Sequence, residues 1–211
     1  LIISYFAVRI SVRQQLSSDG YENMTLGGEI RGRGRPKKLK RERVVEVAMQ
    51  SYWSDGIAVV SLNEICRRAN VSKPAVYREF GNEDGVMSAA LAHYYQEAMK
   101  PVKRLFGSEI PLWKLLDDFS TYISRDKGKR DNSAGCLFAK LCYEQHKLGP
   151  ATKRELDRIR RQMREMYEAR LARAKETGEL STDISIPTAA RYIHAQMLNL
   201  YAQKARGEDP K

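Results

Sequence analysis

Glycines at positions 56, 81, 107, 149, 178 and 207 and prolines at 74, 111, 150 and 187 cut the chain from residue 40 onward into short blocks. Proline is favoured in the first turn of a helix and glycine just past its end, so these positions read as helix starts and stops. Between them the apolar residues recur at helical spacing. Val44, Val45, Ala48 and Tyr52 share one face of a first helix, and Leu62, Ile65 and Ala69 one face of a second. A long helix is predicted over residues 82–105, kinked in its last turn by Pro101. Leu112, Leu115, Leu116, Phe119, Tyr122 and Ile123 mark the next, and residues 136–146 a shorter one. Residues 151–177 carry the stripe Leu156, Ile159, Met163, Tyr167, Leu171 and Ala174; residues 187–206 carry Ala190, Ile193, Met197, Leu200 and Tyr201. No alternating run is long enough for a sheet and no repeat has a fixed period, so the expected fold is all-α.

The 211 residues suffice for one large domain or two small ones, and 42% apolar content can bury a core. The longest apolar-leaning run, residues 1–8, falls far short of the roughly 20 residues a membrane helix needs. It lacks the basic leader and the small-residue cleavage site of a signal peptide. Three cysteines, Cys66, Cys136 and Cys142, make no disulfide framework and point to a reducing, cytoplasmic setting. The net charge of +11 favours a polyanionic partner, and its densest part is local: residues 31–43 hold eight basic side chains against the single acid Glu42. Residues 1–30 show no sustained period and are expected to be a disordered or non-native leader, with Met24 a candidate start. The organisation expected is therefore a leader over 1–30, a basic arm over 31–39, a first helical domain over 40–86 and a second over 87–211.

The most informative stretch is 56–81. Ser61-Leu62-Asn63-Glu64 fits a capping box, in which the serine hydroxyl and the glutamate carboxylate satisfy free amides at a helix start. Asn70-Val71 makes a turn, and Ser72 is placed to cap a second short helix over 73–80 with Pro74 in its first turn. Two short helices joined by a tight turn form a helix-turn-helix, whose second helix enters the DNA major groove. An ordinary helical hairpin has the same outline.

Gly56, Ser61, Leu62, Ile65, Ala69, Val71, Ser72, Tyr77 and Phe80 follow the spacing of a known signature, and through them the chain resembles the TetR family of bacterial transcriptional regulators. The resemblance implies a three-helix DNA-binding domain followed by a divergent all-helical domain for ligand binding and dimerisation, with repression relieved by a small molecule. Asn70 stands where the family usually has glycine, and asparagine is the next best residue for a left-handed turn position. Pro74 and Ala75 replace the usual glycine and threonine and remove polar base readers. Glu83 replaces a lysine that would meet a phosphate, which puts that contact in doubt.

On this reading Lys73 meets a base edge or a phosphate at the mouth of the groove, and Ala75, beside Pro74, packs on a thymine methyl. Tyr77, Arg78 and Ser61 with its helix amides meet phosphates, Arg78 also suiting a solvated surface, and Ser72 is counted with the DNA-binding residues. Val71, Val76 and Phe80 belong to the core. The run Arg33-Gly34-Arg35-Pro36 matches the core of an AT-hook, so Arg33 and Arg35, followed by Lys37 and Lys38, are expected in a minor groove. A solvated basic tail would give only sequence-blind attraction.

In the second domain the last two long helices resemble the family's dimer interface, and a homodimer is what a pseudo-palindromic operator requires, although a stripe there also suits purely internal core. The basic residues Arg158, Arg160, Arg161 and Arg164 read as a solvated face. Pocket candidates for an unidentified hydrophobic effector are Tyr94, Tyr95, Met99, Trp113, Phe119, Tyr122, Phe138, Met163 and Tyr167, each of which also suits plain core. Cys136 follows Gly135 at a helix start, where a thiol's pKa falls, and some TetR-like regulators with a similar Gly-Cys-Leu run respond to electrophiles or oxidants through that cysteine. Lys204 is a candidate neighbour, and a buried core cysteine is the plainer alternative. Cys142, six residues on, lies on nearly the opposite helix face.

Enzyme readings do poorly. His93, His146 and His194 lie far apart with no paired metal-ligand spacing, and no phosphate-binding glycine loop or nucleophile elbow is present. Asp117-Asp118 points to two helix faces rather than forming an acid–base pair. No cofactor, metal or membrane is called for. The alternative of a different class is a ligand-independent architectural DNA binder relying on its AT-hook-like arm.

Overall fold

The computed structural model describes residues 41–124 and 136–206, with the side chain of residue 205 excepted. The leader, the arm and residues 125–135 lie outside the described residues, and so therefore do Arg33, Arg35, Lys37 and Lys38. Nine α-helices and no strand are found among the described residues: α1 (Arg41–Ser54), α2 (Leu62–Ala69), α3 (Lys73–Phe80), α4 (Glu83–Ala98), α5 (Lys100–Phe106), α6 (Leu112–Ser124), α7 (Leu137–Tyr143), α8 (Pro150–Glu176) and α9 (Ile186–Ala205). A 3₁₀ turn, Gln145–Lys147, follows α7.

Local chemistry explains the boundaries. Gly56, Gly81 and Gly178 take positive φ at helix ends, where a side chain would be strained. Pro74, Pro101, Pro150 and Pro187 all fall in first turns. The single helix predicted over 82–105 is instead two. α4 stops at Ala98, Met99 joins it to α5, and Pro101 sits in the new first turn. Proline has no amide to continue the ladder back to Glu97, and here a restart replaces the predicted kink.

α4 is the axis of the fold. It packs against α1 on one side and α8 on the other, while α8 and α9 pair along their length and α6 lies on α9. One continuous core runs from Val44 in α1 to Met197 in α9, so the helices before α4 and those after it share buried surface. The predicted stripes of four helices are buried, namely Val44, Val45, Ala48 and Tyr52; Leu62, Ile65 and Ala69; Leu112, Leu115, Phe119 and Ile123; and all six named positions of α8. In α9, by contrast, Ala190 and Met197 are buried but Ile193, Leu200 and Tyr201 only partly so. Leu116 and Tyr122 are half-buried at the edge of that core. No described helix is long and apolar enough to cross a membrane.

The start of α4 is also fastened to α8 by polar bonds. The Asp84 carboxylate accepts from the amides of Ala151 (2.7 Å) and Thr152 (3.0 Å) and from the Thr152 hydroxyl (2.6 Å), so it caps a helix sixty-odd residues away. Burial pushes the Asp84 carboxyl up, but the Thr152 hydroxyl, the two amides and Arg154 outweigh it and leave the pKa lowered.

Candidate nucleic-acid interface

The α2–α3 unit is set by its turn. Ser61 is extended at the α2 N-cap, and its Oγ accepts from the Glu64 amide at 3.3 Å. Only half of the expected capping box forms. The Glu64 carboxylate turns instead to Arg67 (2.6 and 2.8 Å) and Arg68 (2.6 Å), whose hydrogen bonds pull its pKa down to about 2. Asn70 closes the helix with φ 54° and ψ 52°, the left-handed conformation its position requires, and the Val71 amide reaches back to the Cys66 carbonyl at 3.0 Å.

Ser72 then starts α3 in extended conformation, but its hydroxyl makes no capping bond, contrary to expectation. The amide-free Pro74 leaves the first turn one donor fewer to satisfy. Val76 is wholly buried and seats α3 on the core, with Val71 and Phe80 half-buried beside it. Lys73, Pro74, Tyr77 and Arg78 are all exposed, and Ala75 is half-buried. Since 73/77 and 74/78 are one-turn neighbours, these four side chains form one continuous outward face. The Lys73 ammonium lies 5.7 Å from the centre of the Tyr77 ring, which narrows its range of positions. The acid on α3, Glu79, is met by Arg41 at 3.2 Å, and the same guanidinium lies 5.3 Å over the Phe80 ring. The face is therefore net positive, rimmed by an aromatic ring, and carried on a helix short enough to enter a groove.

The frame behind it is tied by Arg68, whose guanidinium spans Asp55 (2.7 Å), Ser51 (3.0 Å) and Glu64 (2.6 Å). This links the last turn of α1 to α2. No sequence signal marks it, because the partners lie 17 residues or fewer apart but on helices whose angle the sequence does not state. Tyr52 is buried with no hydrogen-bond partner for its hydroxyl among the described residues, and burial followed by the Glu83 charge raises its pKa.

From α4 onward, Tyr94, Tyr95, Met99, Phe119, Phe138, Met163 and Tyr167 are buried and Tyr122 half-buried. Trp113 is the exception. It is 70% exposed in the first turn of α6, one position off the buried stripe, and lines no interior. His194 joins this group without a sequence signal to single it out. Its Nδ1 is buried without a partner among the described residues, and its ring lies 6.1 Å from Phe138 and 6.2 Å from Tyr167. Burial, and then Arg160 and Arg164, hold its pKa low. Cys136 is the N-cap residue of α7, 3% exposed, and the Tyr94 hydroxyl donates to its sulfur at 3.2 Å. Lys204 donates to the Ile123 carbonyl at 3.0 Å. No group of three or more metal-ligating side chains occurs among the described residues.

Two family models match the chain: one described as bacterial regulatory proteins of the tetR family over residues 44–90, the other as a tetracyclin repressor-like C-terminal domain over residues 111–210. Among curated proteins, the chain is 30% identical over 113 residues to the HTH-type transcriptional repressor ComR of Escherichia coli K12, covering 53% of this chain and 54% of ComR. The chain thus spans about half the length of that relative. It is 22% identical to the HTH-type transcriptional repressor DhaR of Mycobacterium sp. GP1, over 74% of this chain and 77% of DhaR. Its fold resembles that of reduced E. coli NemR, with a TM-score of 0.70, 20% identity, and coverage of 81% of this chain and 89% of the other. It also resembles a cysteine mutant of the TetR-family regulator CifR in complex with a 26 bp double-strand operator DNA, with a TM-score of 0.64, 22% identity, and coverage of 82% and 90%. At these identities the structural likeness speaks for the fold.

Proposed function

Because this chain belongs to the TetR family of bacterial transcriptional regulators, we propose that it represses transcription by laying the Lys73–Pro74–Tyr77–Arg78 face of α3 in the major groove of a pseudo-palindromic operator. Members of this family are DNA-binding regulators and not enzymes. The observation that carries the reading is the one-sided exposure of α3, with Val76 wholly buried behind a positive, aromatic outer face. Ser61, Ser72 and Ala75 complete it, the first two toward phosphates and the third toward a thymine methyl. Footprinting on DNA flanking the protein's own gene tests it: a protected inverted repeat is the expected outcome, and uniform cleavage on all fragments would refute it.

Two half-sites need two heads, so the acting species is a homodimer. Support comes from α9, where Tyr192 (65% exposed), Ala195, Gln196 and Asn199 share an outward, uncharged face of one large ring, a methyl group and two carboxamides. The reader works in the cytoplasm, where its three cysteine thiols stay reduced.

The basic arm adds minor-groove contacts through Arg33, Arg35, Lys37 and Lys38. Deleting residues 31–38 is expected to weaken operator binding and to flatten the slope of log affinity against log salt, by about 0.9 for each phosphate that the arm neutralises. An unchanged slope refutes the arm's role. An arm-only architectural binder is not favoured, since it leaves the α3 face and the second family match without a part to play.

The effector enters among Tyr94, Phe138, Met163, Tyr167 and His194, a mostly aromatic lining in which the His194 Nδ1 has no hydrogen-bond partner among the described residues. Modification of Cys136 is the second route to release. In protein carrying Cys66→Ser and Cys142→Ser, complete alkylation of Cys136 is expected to lower operator affinity, because a bulky adduct cannot fit beside Tyr94 without moving α7. Full alkylation with affinity intact eliminates that route.

A further inference from the structure

We propose that Lys140 is a positioning residue that ties α7 of the effector domain to the last turn of α1, so that a displacement of α7 is carried into the DNA-reading head. The inference rests on the reading of α2–α3 as the DNA-contacting unit. Its starting point is one bond between distant parts of the chain: the Lys140 ammonium donates to the Trp53 carbonyl at 2.6 Å, across 87 residues. Trp53 lies in the final turn of α1, Arg41–Ser54, where the helix end carries partial negative charge. A half-buried ammonium at that spot suits both the acceptor and the field.

A second leg runs alongside. The Tyr94 ring, on α4, meets the Trp53 indole edge-on with centroids 5.4 Å apart and planes at 72°. The Tyr94 hydroxyl donates to the Cys136 sulfur at 3.2 Å. Cys136 and Lys140 bracket the first turn of α7, and the Lys140 amide donates to the Cys136 carbonyl at 3.0 Å. Both ends of that turn are therefore fastened to Trp53, one directly and one through Tyr94. Two attachments fix the rotation of α7 as well as its distance, which a single bond does not.

The connection continues past Trp53. Ser51 and Asp55, flanking it, hold Arg68 of α2 at 3.0 and 2.7 Å. The last turn of α1 is thus pinned to α7 on one side and to the first helix of the helix-turn-helix on the other. Movement of α7 has a contiguous path of short polar contacts to α2, and α3 follows through the rigid Asn70 turn. On this path Lys140 spans the head and the effector domain with a single side chain, without passing through α4.

The test is a double-mutant cycle in full-length Trp113→Phe protein, which leaves Trp53 as the sole indole. Phe138→Leu perturbs α7 from within, and Lys140→Met removes the ammonium while keeping most of the stem. Two readouts are taken: affinity for the footprinted operator duplex, and, without DNA, amide exchange over residues 51–55 together with Trp53 emission. With Lys140 present, Phe138→Leu is expected to change operator affinity about fivefold or more and to alter exchange in the last turn of α1. With Lys140→Met the same substitution changes affinity less than about twofold and leaves that exchange unaltered. Lys140→Arg restores the response. If Phe138→Leu does not fold, Cys136→Ser replaces it in the same cycle. Equal effects in both backgrounds overturn the proposal while leaving specific DNA binding in place. Coupled exchange in a protein that shows no preference for any duplex sinks the DNA reading and leaves the role of Lys140 standing.

Discussion

Lys73→Ala combined with Tyr77→Ala is expected to weaken operator binding by about 2–4 kcal/mol, on the order of 30- to 1000-fold, with little change in the unfolding midpoint. The size follows from the geometry. Both side chains are exposed, neither supports the core, and the cation over the ring holds them as one unit, so removing both erases the centre of the α3 face. The stability of the head is carried elsewhere, by Val76 and the apolar residues around it. The single variants separate the roles. If Lys73 meets a phosphate, Lys73→Ala lowers affinity for every duplex alike and reduces the salt slope by about one. If it reads a base edge, the loss is confined to the cognate sequence and discrimination against point variants of the operator relaxes. Titration of labelled operator and of a scrambled duplex at several salt concentrations distinguishes these, and a double variant that binds like wild type removes α3 as the reader.

Asp84→Ala should cost about 1–3 kcal/mol of unfolding free energy, because it strips the start of α8 of its cap and leaves two amides and a hydroxyl to find other acceptors. The loss is pH-dependent in a stated direction. The folded-state pKa of Asp84 lies below its unfolded value, so its contribution is fully present above the ordinary aspartate pKa of about 3.9. It fades as pH falls through the lower folded-state value. Urea melts of wild type and Asp84→Ala should therefore differ most near neutrality and converge in acid. A constant gap across that range would mean the carboxylate's charge contributes nothing. Gly149→Ala tests the same joint from the other side, since a Cβ there would collide with the Asp84 carboxylate. It should reproduce most of the Asp84→Ala loss, and a Gly149→Ala protein as stable as wild type would show that the two helices have room to part.

The helix-turn-helix was legible because its signals are local. A left-handed Asn70, a serine before α2 and a proline in the first turn of α3 act over three or four residues, and the described backbone obeys them. The apolar stripes were legible for the same reason, and even Trp113 carried its own warning by standing one residue off the Leu112–Leu115–Phe119 line. Where local rules offered several partners, packing chose among them. Glu64 had an amide and two arginines in reach and took the arginines. Pro101 allowed a kink or a restart, and the restart puts Val102 and Phe106 into the core.

From its residue order alone the chain dictates where most helices start and stop, the break at Met99 excepted, which stripe most of them hide, and which short helix presents Lys73, Tyr77 and Arg78 outward. Those outcomes depend on φ/ψ preferences and on a 3.6-residue period, which act between near neighbours. The pairings of Asp84 with Ala151 and Thr152, of Lys140 with Trp53, and of Tyr94 with Cys136 came only once α4 had been set between α1 and α8. Hydrogen bonds require donor and acceptor within about 3 Å, and no spacing in a linear chain states which distant helices will bring two groups that close.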